Sequence, residues 1–179
     1  MEKADTDLSL YILRFGAVID PKKFAAITWQ IISGIKAIHE KTLIHLDIKP
    51  ENILVCGQYF KICDFGFVTE SSKKPYRYKG TRTTVAPEVI MEHVYGKEAD
   101  IWSLGVVFYF IRTGKYPFKI GSDKKDVLID IVRKVKLDGI IKNQIKEFFK
   151  NRHVTYAAKT SIFDNKIIYY RHKNIISPF

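Results

Sequence analysis

The sequence predicts a mainly α domain that carries one small β-hairpin. Three observations lead there. After Asp20-Pro21, apolar residues recur at helical spacing, at Phe24, Ile27, Ile31, Ile35 and Ile38. Two short alternating stretches, ENILVCG and YFKICDFG, flank Gly57-Gln58 as the arms of a hairpin would. IWSLGVVFYFIRTG, residues 101–114, is apolar nearly all round, the pattern of a buried helix.

Taken in order, Asp20 reads as an N-cap and Pro21 as the first residue of a helix that runs to about His39, because proline loses nothing at a position whose N–H has no helical acceptor. The hairpin follows at about residues 53–63. Residues 67–85 are polar and aperiodic, a loop long enough to be functional. Beyond the buried helix, Ser122 caps a predicted helix to about Leu137, and a further helix spans about Ile140 to Lys150. After Arg152 the periodicity weakens, and no internal repeat or low-complexity segment occurs.

Composition narrows the class. The chain has 179 residues, 46% hydrophobic and 27% charged, which suits one globular domain with a real core. No stretch is long and apolar enough to span a bilayer, and MEKADTDLSL lacks the apolar centre of a secretory signal. Cys56 and Cys63 make no disulfide framework and read as two packed thiols in a reducing intracellular setting, cytoplasm or nucleus. The formal net charge is +11, with lysines recurring through the last third. No nucleic-acid fold motif accompanies it, so the excess reads as solvated helix faces rather than a nucleic-acid site.

The chemistry is concentrated in HLDIKPENILVCGQYFKICDFG, residues 45–66. Asp47 lies in the turn between helix and hairpin, Lys49 and Asn52 follow it, and Asp64 comes after the second strand. A carboxylate that can accept a hydroxyl proton, a nearby ammonium, and an amide and a carboxylate that can share a hard cation are what phosphoryl transfer requires.

These residues resemble the eukaryotic protein kinase family. HLDIKPEN resembles its catalytic loop and DFG at 64–66 its metal-binding motif. GTRTTVAPE at 80–88 is similar to the substrate-side loop, and DIWSLG at 100–105 to the helix that anchors the catalytic loop. The resemblance runs from about Met1 to Lys136 and fades after 150. It implies a kinase large lobe with ATP and Mg²⁺ as cofactors and a protein as substrate. Residue by residue, it implies Asp47 as catalytic base and Lys49 as the cation on the transferred group, a lysine typical of serine/threonine kinases. Asn52 and Asp64 would hold Mg²⁺, Leu54 would line the adenine floor, and Asp7 would meet the ribose. Asp100 would bond the backbone of His45 and Leu46, and Thr81 would bond near Asp47 and Lys49. His45 and Phe65 would be core, Gly66 completes the metal-binding motif, and Glu88 would pair with a late arginine, for which Arg152 is a candidate. Glu51 reads as a solvated acid, although it could favour a basic residue before the acceptor. Phe110 stands where basophilic relatives can place an acid, which argues against that preference.

Two departures from the family qualify these expectations. Leu46 replaces the arginine that grips an activation-loop phosphate, and Arg77 stands where a phosphothreonine is often found, so the loop is expected to need no phosphate. The opening MEKADTDLSLYIL resembles the hinge and first large-lobe helix, and the Gly-rich loop, strand lysine and helix glutamate of the small lobe do not occur in the sequence. The expected chain is therefore the large lobe without its N-terminal β lobe. It would be a split or shortened kinase with little activity alone, a binding module that docks on and regulates another kinase, or a degenerate remnant. A compact viral, baculovirus-type relative fits such a plan. Association with itself or with another kinase is expected through the exposed lobe face around Leu54 and Phe65.

Overall fold

The computed structural model describes residues 4–71, 80–91, 96–118 and 123–134. The chain divides into two units, residues 1–119 and 120–179. In the first, the element order is β1 (Thr6–Asp7), α1 (Leu8–Phe15), α2 (Pro21–Glu40), β2 (Leu43–Ile44), a 3₁₀ turn (Pro50–Asn52), β3 (Ile53–Cys56), β4 (Tyr59–Ile62), β5 (Thr69–Glu70), α3 (Pro87–Ile90) and α4 (Lys97–Thr113). In the second, α5 (Lys124–Lys134) is described, with Lys134 Nζ 2.8 Å from Asp130 Oδ2 one turn away. The expected helix at about 140–150, the tail after Arg152 and the Ser122 cap lie outside the described residues.

Local chemistry explains most boundaries. Asp20 accepts from both Lys22 N and Lys23 N at 3.1 Å, satisfying two of the donors that a helix start leaves open, and Pro21 follows as the first helical residue. The stripe Ile27, Ile31, Ile35 and Ile38 is buried as its spacing predicts. α4 begins four residues before the expected 101, because its first turn is polar and an apolar criterion misses it. It ends at Gly114, whose left-handed φ of 69° lets its N–H return to Phe110 O at 2.8 Å.

The core forms where α1, α2, α4 and the hairpin meet. Leu8 and Ile12 of α1, the α2 stripe, Ile53, Val55 and Phe60 of the hairpin, and Leu104, Val107, Phe110 and Ile111 of α4 make one buried cluster. β3 and β4 pair antiparallel from Ile53↔Ile62 to Cys56↔Tyr59, with Gly57 at a φ of 59° in the turn. Gln30 fastens the hairpin to α2 by donating to Gln58 O (3.1 Å) and accepting from Phe60 N (3.0 Å). β1 completes a three-stranded sheet in the order β1-β3-β4. A second sheet pairs β2 with β5, so the start of the predicted 67–85 loop is tied back beside the strand that leads into the turn carrying Asp47.

Candidate active site

One buried carboxylate organises the turn that carries Asp47. Asp100, in the first turn of α4, accepts His45 N on Oδ2 and Leu46 N on Oδ1, each at 2.8 Å. Oδ2 also lies 2.8 Å from His39 Nε2 at the end of α2. Consecutive N–H groups converge on one acceptor only if the backbone bends sharply, and Leu46 has a left-handed φ of 66°. His39 was not singled out by the sequence. Its position at a helix end near His45 is the one signal that could have found it.

His45 is fully buried, and both ring nitrogens are used internally. Nε2 contacts Cys63 O at 3.1 Å and must donate, so Nδ1 is left as the acceptor for Asp47 N at 3.3 Å. Burial lowers its pKa, against the opposing charges of Asp100, Asp47 and Asp64, which keeps the ring neutral. These contacts give His45 a structural place.

Around Asp47 the polar groups close up. Asp47 Oδ1 accepts from Thr81 Oγ1 at 2.7 Å. Oδ2 accepts from Lys49 Nζ at 2.8 Å and from Asn52 Nδ2 at 2.9 Å. Lys49 Nζ also donates to Thr81 Oγ1 at 3.0 Å. Burial by itself would raise the Asp47 pKa, but the bonds from Lys49, Thr81 and Asn52 outweigh it and hold the carboxyl below its ordinary value. The group is therefore an anion at neutral pH, able to accept a proton.

Asn52 spends its amide hydrogens on Asp47, on the backbone O as well as Oδ2 (both 2.9 Å), which leaves its carbonyl oxygen for a hard cation. Cys63 N bonds Asn52 O at 3.0 Å, so Asp64 follows directly from the residue paired with Asn52. Asp64 is exposed at a φ of 59°, and its Oδ1 accepts Gly66 N at 3.2 Å. Among the described residues no cluster of three or more His, Cys, Asp or Glu could hold a metal. One amide oxygen and one carboxylate suit Mg²⁺, which completes its shell with water and phosphate oxygens rather than with a protein cage. Asp7 and Leu54 are register partners across β1 and β3, which brings the expected ribose and adenine positions side by side. Asp7 Oδ1 also caps α1 by accepting Leu10 N at 2.9 Å.

Phe65 requires a correction. It was expected in the core, yet it is 54% exposed and meets the His45 ring edge-on at 5.3 Å. The left-handed backbone at Asp64 turns the chain outward just before it, and a single aromatic edge cannot cover a phenyl ring. Phe67 is also exposed, at 40%.

The segment that begins at Gly80 meets this turn at Gly80 and meets α4 at Thr84. Ser103 Oγ donates to Thr84 O at 2.8 Å. Gly80 has a φ of 101°, and a Cβ there would lie 2.5 Å from Leu46 O. Gly80→Ala combines a conformation that alanine resists with a backbone clash. It should destabilise the fold by about 3 kcal/mol, read from urea unfolding. A loss under about 1 kcal/mol would mean that the two loops separate freely.

Glu88, half-buried at the start of α3, has its pKa raised from 4.5. Burial is the main cause, a bond to its own backbone opposes it, and the charge of Glu98 adds to it. The Arg152 expected to pair with it lies outside the described residues. A carboxyl that holds its proton more tightly when folded contributes fully below its ordinary pKa, and that contribution is lost as pH rises through the raised value. Glu88→Gln should therefore match wild type in Tm near pH ~4 and exceed it at pH ~7. Scanning calorimetry at both values checks this; an identical offset at the two would sink it.

The fold defines a kinase-like domain, mostly helical with a few strands in small sheets. The family model for the protein kinase domain matches residues 1–168, and this chain belongs to the eukaryotic-type serine/threonine protein kinase family. The chain is 33% identical over 156 residues to serine/threonine-protein kinase DCLK1 of Rattus norvegicus, covering 77% of this chain and 36% of that protein. It is 31% identical over 150 residues to serine/threonine-protein kinase DCLK3 of Homo sapiens, covering 74% and 23%. Among solved structures it is similar to a chain of the yeast RNA Pol II CTD kinase CTDK-1 complex, with TM-score 0.71 and 25% identity, covering 78% of this chain and 47% of that one. The chain thus spans well under half the length of these curated relatives. The family generally uses ATP and Mg²⁺. No described helix is long and apolar enough to cross a membrane.

Proposed function

We propose that this chain is the catalytic lobe of a serine/threonine protein kinase that transfers the γ-phosphoryl group of ATP to a protein hydroxyl. The observation that carries the reading is the closed set Asp47, Lys49, Thr81 and Asn52, with bonds of 2.7–3.0 Å. Asp47 is the proton acceptor for the incoming hydroxyl. Lys49, which rests on Asp47 Oδ2, supplies a cation within reach of the group being transferred. Thr81 keeps the two in register. Asn52 through its amide oxygen and Asp64 through its carboxylate would hold Mg²⁺, which neutralises phosphate charge when bound. Lys49 also supports serine or threonine over tyrosine as acceptor.

The exposure of Phe65 and Phe67 favours a second role for the same lobe, association through that face with a kinase small lobe or another kinase. Adenine held by Leu54 from one side alone predicts weak Mg·ATP binding and negligible turnover by the 1–179 chain. The test measures radiolabel transfer from ATP by that chain, alone and with a kinase small lobe added in trans. Turnover only on addition selects the two-part enzyme. No turnover together with inhibition of a second kinase selects the regulatory module. Robust turnover by the monomer would overturn the requirement for a second lobe.

A further inference from the structure

α1 turns apolar side chains both inward and outward. Leu8 and Ile12 enter the core, while Leu10, Leu13 and Phe15 are 55%, 82% and 63% exposed. Apart from Ser9, Arg14 and the Tyr11 hydroxyl, its sequence LSLYILRF is apolar, which is more than packing on the hairpin requires. This outward face borders an open groove of about 580 Å³. Thr6 and Val55, register partners across β1 and β3, form the other wall. Asp5 and Gly57 lie at one end, joined by a bond of 2.7 Å from Gly57 N to Asp5 Oδ2. The other end, at the last turn of α1, is cationic. The Tyr11 and Phe15 rings lie 4.9 Å apart, the Arg14 guanidinium carbon is 5.3 Å from the Phe15 centroid, and Lys23 Nζ of α2 is 5.5 Å from the Tyr11 centroid. Lys22 is exposed beside Lys23, and Asp20 spends both carboxylate oxygens on the backbone N–H groups of these two lysines.

We propose that this groove is a docking site for a protein segment that carries two apolar side chains with an acidic residue beside them, the acid lying at the Arg14 end. Charge complementarity sets that orientation. The cations at the last turn of α1 attract a carboxylate, and Asp5, about 12 Å away beyond the first turn, repels one. A small molecule in the groove would leave Leu13 and Phe15 bare, whereas a segment laid along the helix covers them. A second copy joined by a two-fold axis would press the same cations against each other. An anionic lipid surface would meet Asp5 as well as the cations, and it suits a convex face better than a groove. The site is separate from the nucleotide face. Thr6↔Val55 is one register step from Asp7↔Leu54, and successive strand residues point to opposite sides of a sheet. A segment in the groove therefore leaves the Asp7–Leu54 side open.

The test uses short fluorescein-labelled peptides with two leucines in a serine-glycine background. Two glutamates precede the leucines in one peptide and follow them in another, and matched peptides carry glutamine or lysine at those places. Anisotropy on the 1–179 chain at low salt should show one glutamate peptide bound about fivefold tighter than its glutamine partner, and the reversed glutamate peptide no tighter than glutamine. Saturating Mg·ATP should leave that affinity unchanged. Leu13→Ser should weaken the preferred peptide by about tenfold. Arg14→Glu should reverse the charge preference, so that the lysine peptide overtakes the glutamate one. Leu13 and Arg14 are exposed, and an unchanged Tm for each variant shows that the fold is intact. The proposal fails if Mg·ATP displaces the peptide, or if Arg14→Glu leaves the preference as it was. It fails also if no peptide binds. Loss of self-association, or of adsorption to phosphatidylserine vesicles, in Leu13→Ser would then assign the face to a second copy or to a lipid surface.

Discussion

Asp47→Asn in the chain complemented with a kinase small lobe is expected to lower kcat by about 10³-fold, the scale of a positioned general base. The substitution keeps the shape of the side chain, so Mg·ATP affinity should stay within about twofold of wild type. The electrostatics change more than the shape. Asp47 accepts from Thr81, Lys49 and Asn52 at once, and an amide has a single oxygen to offer these three donors. Its NH₂ must then face Lys49 and Asn52, or Thr81. Single-turnover transfer of labelled phosphate, with nucleotide affinity measured separately, checks the prediction. A loss under about tenfold would mean that Asp47 does not take the proton.

Asp100→Ala should be the most damaging substitution for stability, costing about 4 kcal/mol and lowering Tm by about 10 °C. The removed carboxylate leaves the N–H groups of His45 and Leu46 buried without their acceptor, and His39 without its partner. The left-handed conformation of Leu46 loses the contact that holds it, so Asp47, the next residue, loses its position as well. Asp100→Asn keeps one acceptor oxygen and should cost about half as much. Urea unfolding of the three proteins at one pH gives the comparison. A cost under about 1 kcal/mol for the alanine variant would show that the turn holds its shape without α4.

The amino-acid sequence by itself determined what depends on near neighbours. The α2 stripe and its Asp20-Pro21 start, the hairpin around Gly57-Gln58 and the buried face of α4 follow from side-chain periodicity and turn chemistry. The local spacing of Asp47, Lys49, Asn52 and Asp64 likewise pointed to phosphoryl transfer. Thr81 and Asp100 were legible only through resemblance to family motifs, since they meet Asp47, His45 and Leu46 from 34, 55 and 54 residues away. The tertiary structure alone decided the charge state of Asp47, the neutral His45 ring, the contact of His39 with Asp100 and the exposure of Phe65. Each of these depends on which distant groups share a site and how far water is excluded from it. Spacing along a chain reports neither, because both arise only when separate elements pack.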